Sequence, residues 1–284
     1  MEMEITIRPV ATLDEYRACE DLQRRVWAMP DDLDVVPLHL LLTAQKNGGL
    51  LLGAFAGAEM IGFVFGFPGL TPEGKVKHCS HMMGIAPGHQ SKGLGYRLKL
   101  AQRAFVLEQG LDLITWTYDP LESRNAYLNI HKLGAVCRTY RRDLYGPMSD
   151  GLNAGLPSDR FQVEWWIAEG HVERRLAGEA APWPEETVPA LTAHRTAAGL
   201  PAPDVRTLDA SSPAVQVEIP AEYQAIKAAD PALAMEWRLT TRQVFEHYFA
   251  AGYRVVDFAS RVAAGERRSF YLLQAHRSPT HRRG

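Results

Sequence analysis

The sequence predicts an α+β fold, a mixed β-sheet held between two helix layers over residues 1–170, followed by a C-terminal helix–strand extension that completes or packs on this core. Three observations predict it. Strand-like and helix-like periodicities succeed one another in the order βααβββαβαββ between Ile5 and Ile167. The glycine-rich run Gln90-Ser91-Lys92-Gly93-Leu94-Gly95 falls between a strand and a helix. A helical segment ended by Gly252 and followed by two strands closes the chain.

The elements follow in order. Ile5–Arg8 reads as a strand, and the segment 13–27 sets Tyr16, Cys19, Leu22, Val26 and Trp27 at helical spacing. Pro30–Asp34 is a polar break. A second helix spans 37–46, with proline in its first turn and Asn47-Gly48-Gly49 after it. The almost wholly apolar run from Gly48 to Leu70 has the length of a membrane span. Its glycines and the Ala56-Gly57-Ala58-Glu59 break favour a hairpin of buried strands, 50–55 and 60–67, and no membrane partner is expected.

A strand over 75–85 leads through Ala86-Pro87-Gly88-His89 into a helix over 91–109, whose apolar positions are Leu94, Leu98, Ala101, Phe105 and Val106. After the strand 113–118, Asp119-Pro120-Leu121-Glu122 has the residues of a helix start with a capping box, and the helix is expected to reach Leu133 before Gly134. Strands at 136–140 and 161–167 complete the core.

The region 177–213, rich in alanine, proline and glycine, reads as a linker or irregular wrap. Structure resumes at 215–219, with a helix over 231–251 and strands at 253–259 and 269–274. The expected organisation is therefore a core at 1–170, a linker at 171–213, an extension at 214–276 and a flexible tail at 277–284.

Composition narrows the function classes. A hydrophobic fraction of 46% and a charged fraction of 23% are those of a folded globular chain. A net charge of −2 supplies no basic field for nucleic acid. Cys19, Cys79 and Cys137 are odd in number and lack metal-ligand spacing, so no metal is expected and a reducing, cytoplasmic setting fits. The amino terminus lacks the basic and apolar regions of a signal peptide.

Chemistry concentrates at the glycine turn. Unpaired amides at a helix start, together with the positive end of its dipole, favour phosphate, and Gly93 and Gly95 permit close backbone approach while Lys92 adds a cation. The same glycines also suit a turn that only packs. Dinucleotide-binding Gly-x-Gly-x-x-Gly spacing is absent, and no Gly-Lys-Ser/Thr follows as in an ATP-binding loop.

In this strand–turn–helix context the residues resemble the GNAT acyltransferase superfamily, whose signature here is Gln/Arg-x-x-Gly-x-Gly/Ala. Ala126, Leu133 and Gly134 match its small residue and its Leu-Gly before the sixth strand, so that the resemblance covers about Ile5 to Ile167. It implies an acyl-CoA co-substrate, acetyl-CoA or another, and direct attack of an acceptor amine on the thioester. Gln90, Ser91, Lys92, Gly93, Leu94 and Gly95 would line the pyrophosphate, and the backbone at Gly84 and Ile85 would border the pantetheine. An amide near Ile85 would face the oxyanion.

The resemblance weakens at the proton donor. The family's tyrosine falls four residues before Gly134, where this chain has Ile130. Tyr127 lies one turn earlier and is either its substitute or a core aromatic. Ser123 and Asn125 stand around the family's asparagine position, as caps or as CoA contacts.

Strand alternation groups Cys79, His81, Met83 and Ile85 on one face, the face on which some relatives carry a catalytic carboxylate. His81 is the candidate base, its alternative role being a hydrogen-bonded structural histidine. Cys79 lacks a visible activating partner.

The segment 238–253 resembles the helix-then-Gly-aromatic-strand unit that ends such a domain and has the look of a partial repeat. Arg238 and Arg242 share a helical stripe with Trp237. They form either a clamp for a substrate carboxylate or a salt-bridged face. Trp116, Trp165 and Trp166 line an acceptor pocket or belong to the core.

The expected activity is N-acyl transfer, acetyl or succinyl, from CoA to a small amine such as an amino acid, by a monomer or homodimer. A non-catalytic acyl-CoA sensor and a protein-modifying acyltransferase are the alternatives.

Overall fold

The computed structural model describes residues 4–29, 32–90, 93–148, 154–179, 181–263 and 265–275. They divide into two compact units, the first Met1–Trp116 with Met148–Gly155 and Trp166–Glu169, the second Thr117–Pro147, Leu156–Trp165 and Gly170–Gly284.

The first unit runs β1 (Ile5–Pro9), α1 (Leu13–Trp27), α2 (Leu38–Lys46), β2 (Leu50–Ala56), β3 (Glu59–Leu70), β4 (Val76–Ile85), α3 (Leu94–Glu108) and β5 (Leu113–Tyr118), the last two residues of β5 belonging to the second unit. Its strand order is β1-β2-β3-β4-β5. Successive pairs are antiparallel up to β3–β4, and β4–β5 is parallel. The expected hairpin is β2–β3, closed by Gly57-Ala58 with Gly57 at φ +61°, a left-handed conformation that glycine adopts without steric cost. Among the described residues no helix is long and apolar enough to cross a membrane.

Helix α1 starts where Thr12 and Glu15 cap one another reciprocally. Its buried stripe, Tyr16, Cys19 and Leu22, packs on one sheet face, where Trp27 meets Phe63 edge-on at 6.1 Å. Gly84 makes that packing possible, because a Cβ there would stand 2.8 Å from the Phe63 ring and 3.3 Å from Trp27. On the opposite face Leu94 and Leu98 of α3 come within 3.4 and 3.5 Å of where a Gly62 Cβ would be. The unit is thus three layers, helix–sheet–helix.

Between β3 and β4 the register moves from Gly66↔Ser80 to Phe65↔Met82, which makes His81 the extra residue of a β-bulge. This corrects the expected grouping of four side chains. An inserted residue reverses alternation, so Cys79 and His81 lie on the face of Phe65 and Phe67, whereas Met83, opposite Val64, and Ile85, opposite Gly62, lie on the α3 face.

The second unit continues with α4 (Ser123–Ala126), which runs directly into a π-helical turn (Tyr127–Lys132). There follow β6 (Val136–Arg141), β7 (Arg160–Trp166), α5 (Gly170–Leu176), β8 (Val188–Arg195), β9 (Pro201–Val205), β10 (Ala214–Ile219), α6 (Tyr223–Ala229), α7 (Pro231–Ala250), β11 (Tyr253–Ala263) and β12 (Glu266–Ala275). Its strand order is β7-β6-β11-β12-β10-β8-β9.

Two expectations are corrected here. Asp119 does not cap a helix; its carboxylate accepts from the Leu121 amide, two residues on, and the helix starts later, at Ser123. The region 177–213 is not irregular throughout, since it contains β8 and β9. Pro201 and Pro203 sit in the edge strand β9, and Pro189 sits in β8 ahead of the first β8–β9 pair at Leu191↔Val205, positions where a missing N–H is tolerated. Helices α5 and α6 went unread because each spans only seven residues. The tail expected at 277–284 lies outside the described residues.

The second unit has an internal likeness of topology. The end of β5, the α4–π segment, β6 and β7 form a strand–helix–strand–strand run whose last strand lies beside both others, with Tyr118 edge-on to Phe161 at 5.9 Å. Strand β10, helices α6 and α7, β11 and β12 repeat this run, with β12 between β10 and β11. The two runs meet through the antiparallel pair Cys137↔Val255.

Candidate active site

Strand β4 carries three of the predicted site residues, His81, Gly84 and Ile85. Among the described residues it pairs with β5 at His78↔Ile114 and Cys79↔Thr115, then continues through Ser80–Ile85 paired to β3. Among the described residues no strand pairs with its other edge along that stretch, so an extended ligand can bond to its backbone.

Beyond Ile85 the chain turns, His89 N–H donating to Ala86 C=O at 3.0 Å, and enters α3. Gly93 takes the helix N-cap position at φ +76°, without a side-chain cap. Its carbonyl accepts from Arg97 N–H at 3.1 Å. The amides of Leu94, Gly95 and Tyr96 precede the first intrahelical bond and need acceptors from elsewhere. A Cβ at Gly93 would touch nothing within 4 Å, so the glycine serves backbone conformation and not packing. Gln90 folds back, its Nε2 donating to Ile85 C=O at 3.4 Å. Ser91 and Lys92, the other predicted pyrophosphate contacts, lie outside the described residues.

On the α1/α2 face the bulge presents His81 to a cleft of about 530 Å³, walled by Leu40 and Ala44 of α2 and by Phe65, Phe67 and Pro68 of β3. The imidazole centroid lies 5.9 Å from each phenyl centroid. His81 is exposed by area, yet these rings strip enough hydration to pull its pKa below the ordinary imidazole value. A neutral imidazole at a cleft wall can accept a proton.

Sequence reasoning missed a buried polar chain on the α3 face. Lys99 Nζ donates to Ser80 Oγ at 2.8 Å and to Gln102 Oε1 at 3.2 Å, and lies 3.8 Å from the Trp116 ring centroid. Gln102 Nε2 is 3.1 Å from His78 Nε2. Since Lys99 occupies the amide oxygen, Gln102 donates to His78, and the imidazole proton sits on Nδ1, which has no hydrogen-bond partner among the described residues. Gly66 leaves the space for this pair, because a Cβ there would lie 2.3 Å from His78 Nε2. The readable signals were the alternation of His78 and Ser80 on β4 and the three-residue spacing of Lys99 and Gln102 on a helix.

Burial lowers the Lys99 pKa to about 7, and burial, then the Lys99 charge, lowers that of His78 to about 4. For Lys99 the folded value lies below the unfolded one, near 10.4, so between the two only the unfolded chain holds the proton and stability rises with pH. Urea unfolding should therefore show about 2–3 kcal/mol of added stability between about pH 7.5 and 9.5. In Lys99→Met that increment should vanish. Its persistence in the variant would assign the effect to other groups.

The remaining predicted residues belong to the second unit. Tyr127 is 38% exposed and stacks on His131 at 4.8 Å, so it is not a core aromatic; Ile130 is fully buried. Ser123 is buried, its hydroxyl 2.9 Å from that of Ser269, and Asn125 is exposed. His131 Nδ1 lies 3.1 Å from Asp257, whose carboxylate also accepts from Arg175 at 3.0 Å and from Trp183 at 2.9 Å. Burial opposes ionisation of Asp257, but the bonds from His131, Arg175, Phe258 N–H and Trp183 together hold its pKa below the usual range.

The arginine stripe takes its internal form. Arg238 is 2% exposed and forks onto Asp119, Nη1 to Oδ1 at 2.8 Å; Arg242 forks onto Asp159, with both bonds at 2.8 Å. This corrects the expected substrate clamp, since the bidentate donor face of each guanidinium is filled by a carboxylate of the same chain. Trp165, also offered as a pocket wall, is fully buried.

Comparison with known proteins gives fold-level likenesses. No family model matches the chain, and no curated protein matches it. Among solved structures, the ribosomal-protein-S18-alanine N-acetyltransferase from Escherichia coli is 16% identical, with 58% of this chain and 96% of that one covered at a TM-score of 0.45. A GNAT-family acetyltransferase from Streptococcus pneumoniae is 18% identical, covering 57% and 98% at 0.45. The NatC complex bound to Gag peptide and CoA gives 13%, 57% and 98% at 0.46. Likeness of this degree does not decide the chemistry, which rests on the chain's own topology and site geometry.

Proposed function

We propose that the protein is a CoA-dependent N-acyltransferase acting on an amine. The observation that carries this is a juxtaposition: the edge of β4 with no strand partner among the described residues begins at the bulge at His81 and ends at Ile85, shortly before the amides of α3, whose N-cap Gly93 offers no side-chain cap.

The parts divide the work. The α3 amides hold the pyrophosphate against the positive end of the helix. The β4 edge from Met82 to Ile85 bonds to the pantetheine amides and brings the thioester toward the bulge. His81 removes a proton from the acceptor nitrogen as its lone pair forms the C–N bond, the C–S bond breaks, and the departing thiolate gains a proton from solvent or from a side chain. Holding both reactants makes the attack effectively unimolecular.

The second reading, an acyl-CoA-binding protein without turnover, is favoured by one feature, the buried Ile130 at the position of the family's proton donor. Release of free thiol from acetyl-CoA with a panel of amines separates the two. Amine-dependent thiol and a matching acylated product support transfer. Tight CoA binding with no thiol above the hydrolysis blank would replace it by the binding reading.

A further inference from the structure

We infer that the acceptor of this site is an amine carried on an aromatic or similarly flat apolar body, without a carboxylate or a second charge. This rests on the proposed acyl transfer and names the substrate class of the same site.

The lining of the cleft carries the inference. None of its described side chains is an acid, a lysine or an arginine. Phe65, Phe67 and His81 form a triangle of rings, with centroid separations of 5.8, 5.9 and 5.9 Å. Leu40, Ala44 and Pro68 complete an apolar wall. A further flat ring entering against this triangle meets ring edges at tilted and perpendicular angles, the arrangements aromatic pairs prefer. The volume, about 530 Å³, fits a small molecule.

Polar groups are few and one-sided. Asn47 spends an amide N–H on Thr43 C=O at 2.7 Å, and His81 is the one titratable side chain of the described lining. An amino-acid acceptor would bring its carboxylate into this wall without a counter-charge, and a polyamine would bring a second ammonium; both lose hydration without replacement. The two arginines expected to receive a carboxylate are bound instead to Asp119 and Asp159. A simple aromatic amine such as 2-phenylethylamine keeps one polar atom, its nitrogen, and the geometry assigns that atom to His81. Loss of the nitrogen proton to His81, C–N bond formation and C–S cleavage leave an amide and a free thiol.

The test measures kcat/KM with acetyl-CoA for 2-phenylethylamine, tryptamine and aniline against glycine, glutamate, spermidine and an alanine-led peptide, with thiol release and product mass as readouts. At least one aromatic amine is expected to exceed every charged acceptor by about tenfold or more, as apolar complementarity allows. Phe67→Ala, at a partly exposed position, should raise KM for that amine about tenfold and leave the acetyl-CoA KM unchanged. Faster turnover of an amino acid, the polyamine or the peptide would overturn the acceptor class and leave acyl transfer standing. Calorimetric binding of 2-phenylethylamine, weakened by Phe67→Ala, would support the cleft assignment even if no amine releases thiol, a result that overturns acyl transfer alone.

Discussion

Replacing His81 with glutamine is expected to lower kcat by on the order of 10²–10³-fold while leaving the acyl-CoA KM within about twofold, the range for loss of one general base. The expectation follows from position. His81 is the bulged residue of β4, set against Phe65 and Phe67 in the cleft, and its backbone lies on the strand that leads toward Gly93 and helix α3.

The pH dependence has a fixed sign. Only neutral imidazole accepts a proton, and His81 is held below its ordinary pKa, so wild-type kcat/KM should stay high through neutrality and fall on an acid limb below about pH 6.5. His81→Gln should lose that limb. A variant with an unchanged pH profile and unchanged kcat would remove His81 from the mechanism.

The second large effect concerns stability. Asp119→Ala is expected to destabilise the protein by about 3–5 kcal/mol in chemical unfolding, because it strands the buried Arg238 guanidinium. Arg238 is 2% exposed, and its Nε already lacks a hydrogen-bond partner among the described residues. The double variant Asp119→Asn with Arg238→Met keeps an acceptor for the Leu121 amide and removes the charge, so it should recover most of the loss. A loss in the double variant equal to the sum of the losses in Asp119→Asn and Arg238→Met alone would show that the pair is not coupled.

What the sequence made legible was local. The turn at Gln90–Gly95 could be read because a left-handed glycine, a preceding strand and a following amphipathic helix all lie within one short stretch of chain, and Gly93 does adopt φ +76°. The hairpin could be read for the same reason, with Gly57 at its tip.

What escaped depends on partners distant in sequence. The bulge at His81 exists only relative to β3, so alternation along β4 alone put Met83 and Ile85 on the wrong face. Arg238 and Asp119 stand 119 residues apart, and His131 and Asp257 stand 126 apart, separations at which periodicity is silent. The prolines of β8 and β9 looked like breakers because single-sequence reasoning cannot see that β9 is an edge strand and that Pro189 precedes the β8–β9 pairing.

The central claim is that the amides of α3 behind Gly93 hold the pyrophosphate of an acyl-CoA. Calorimetric titration of CoA into the wild-type protein and Gly93→Val tests it most directly. At φ +76° a valine cannot keep the turn, while the space around the glycine leaves the core unaffected. Binding in the wild type, weakened about tenfold or more in a folded Gly93→Val, is the predicted result. Equal affinity in the two proteins, or no binding to the wild type, would contradict it.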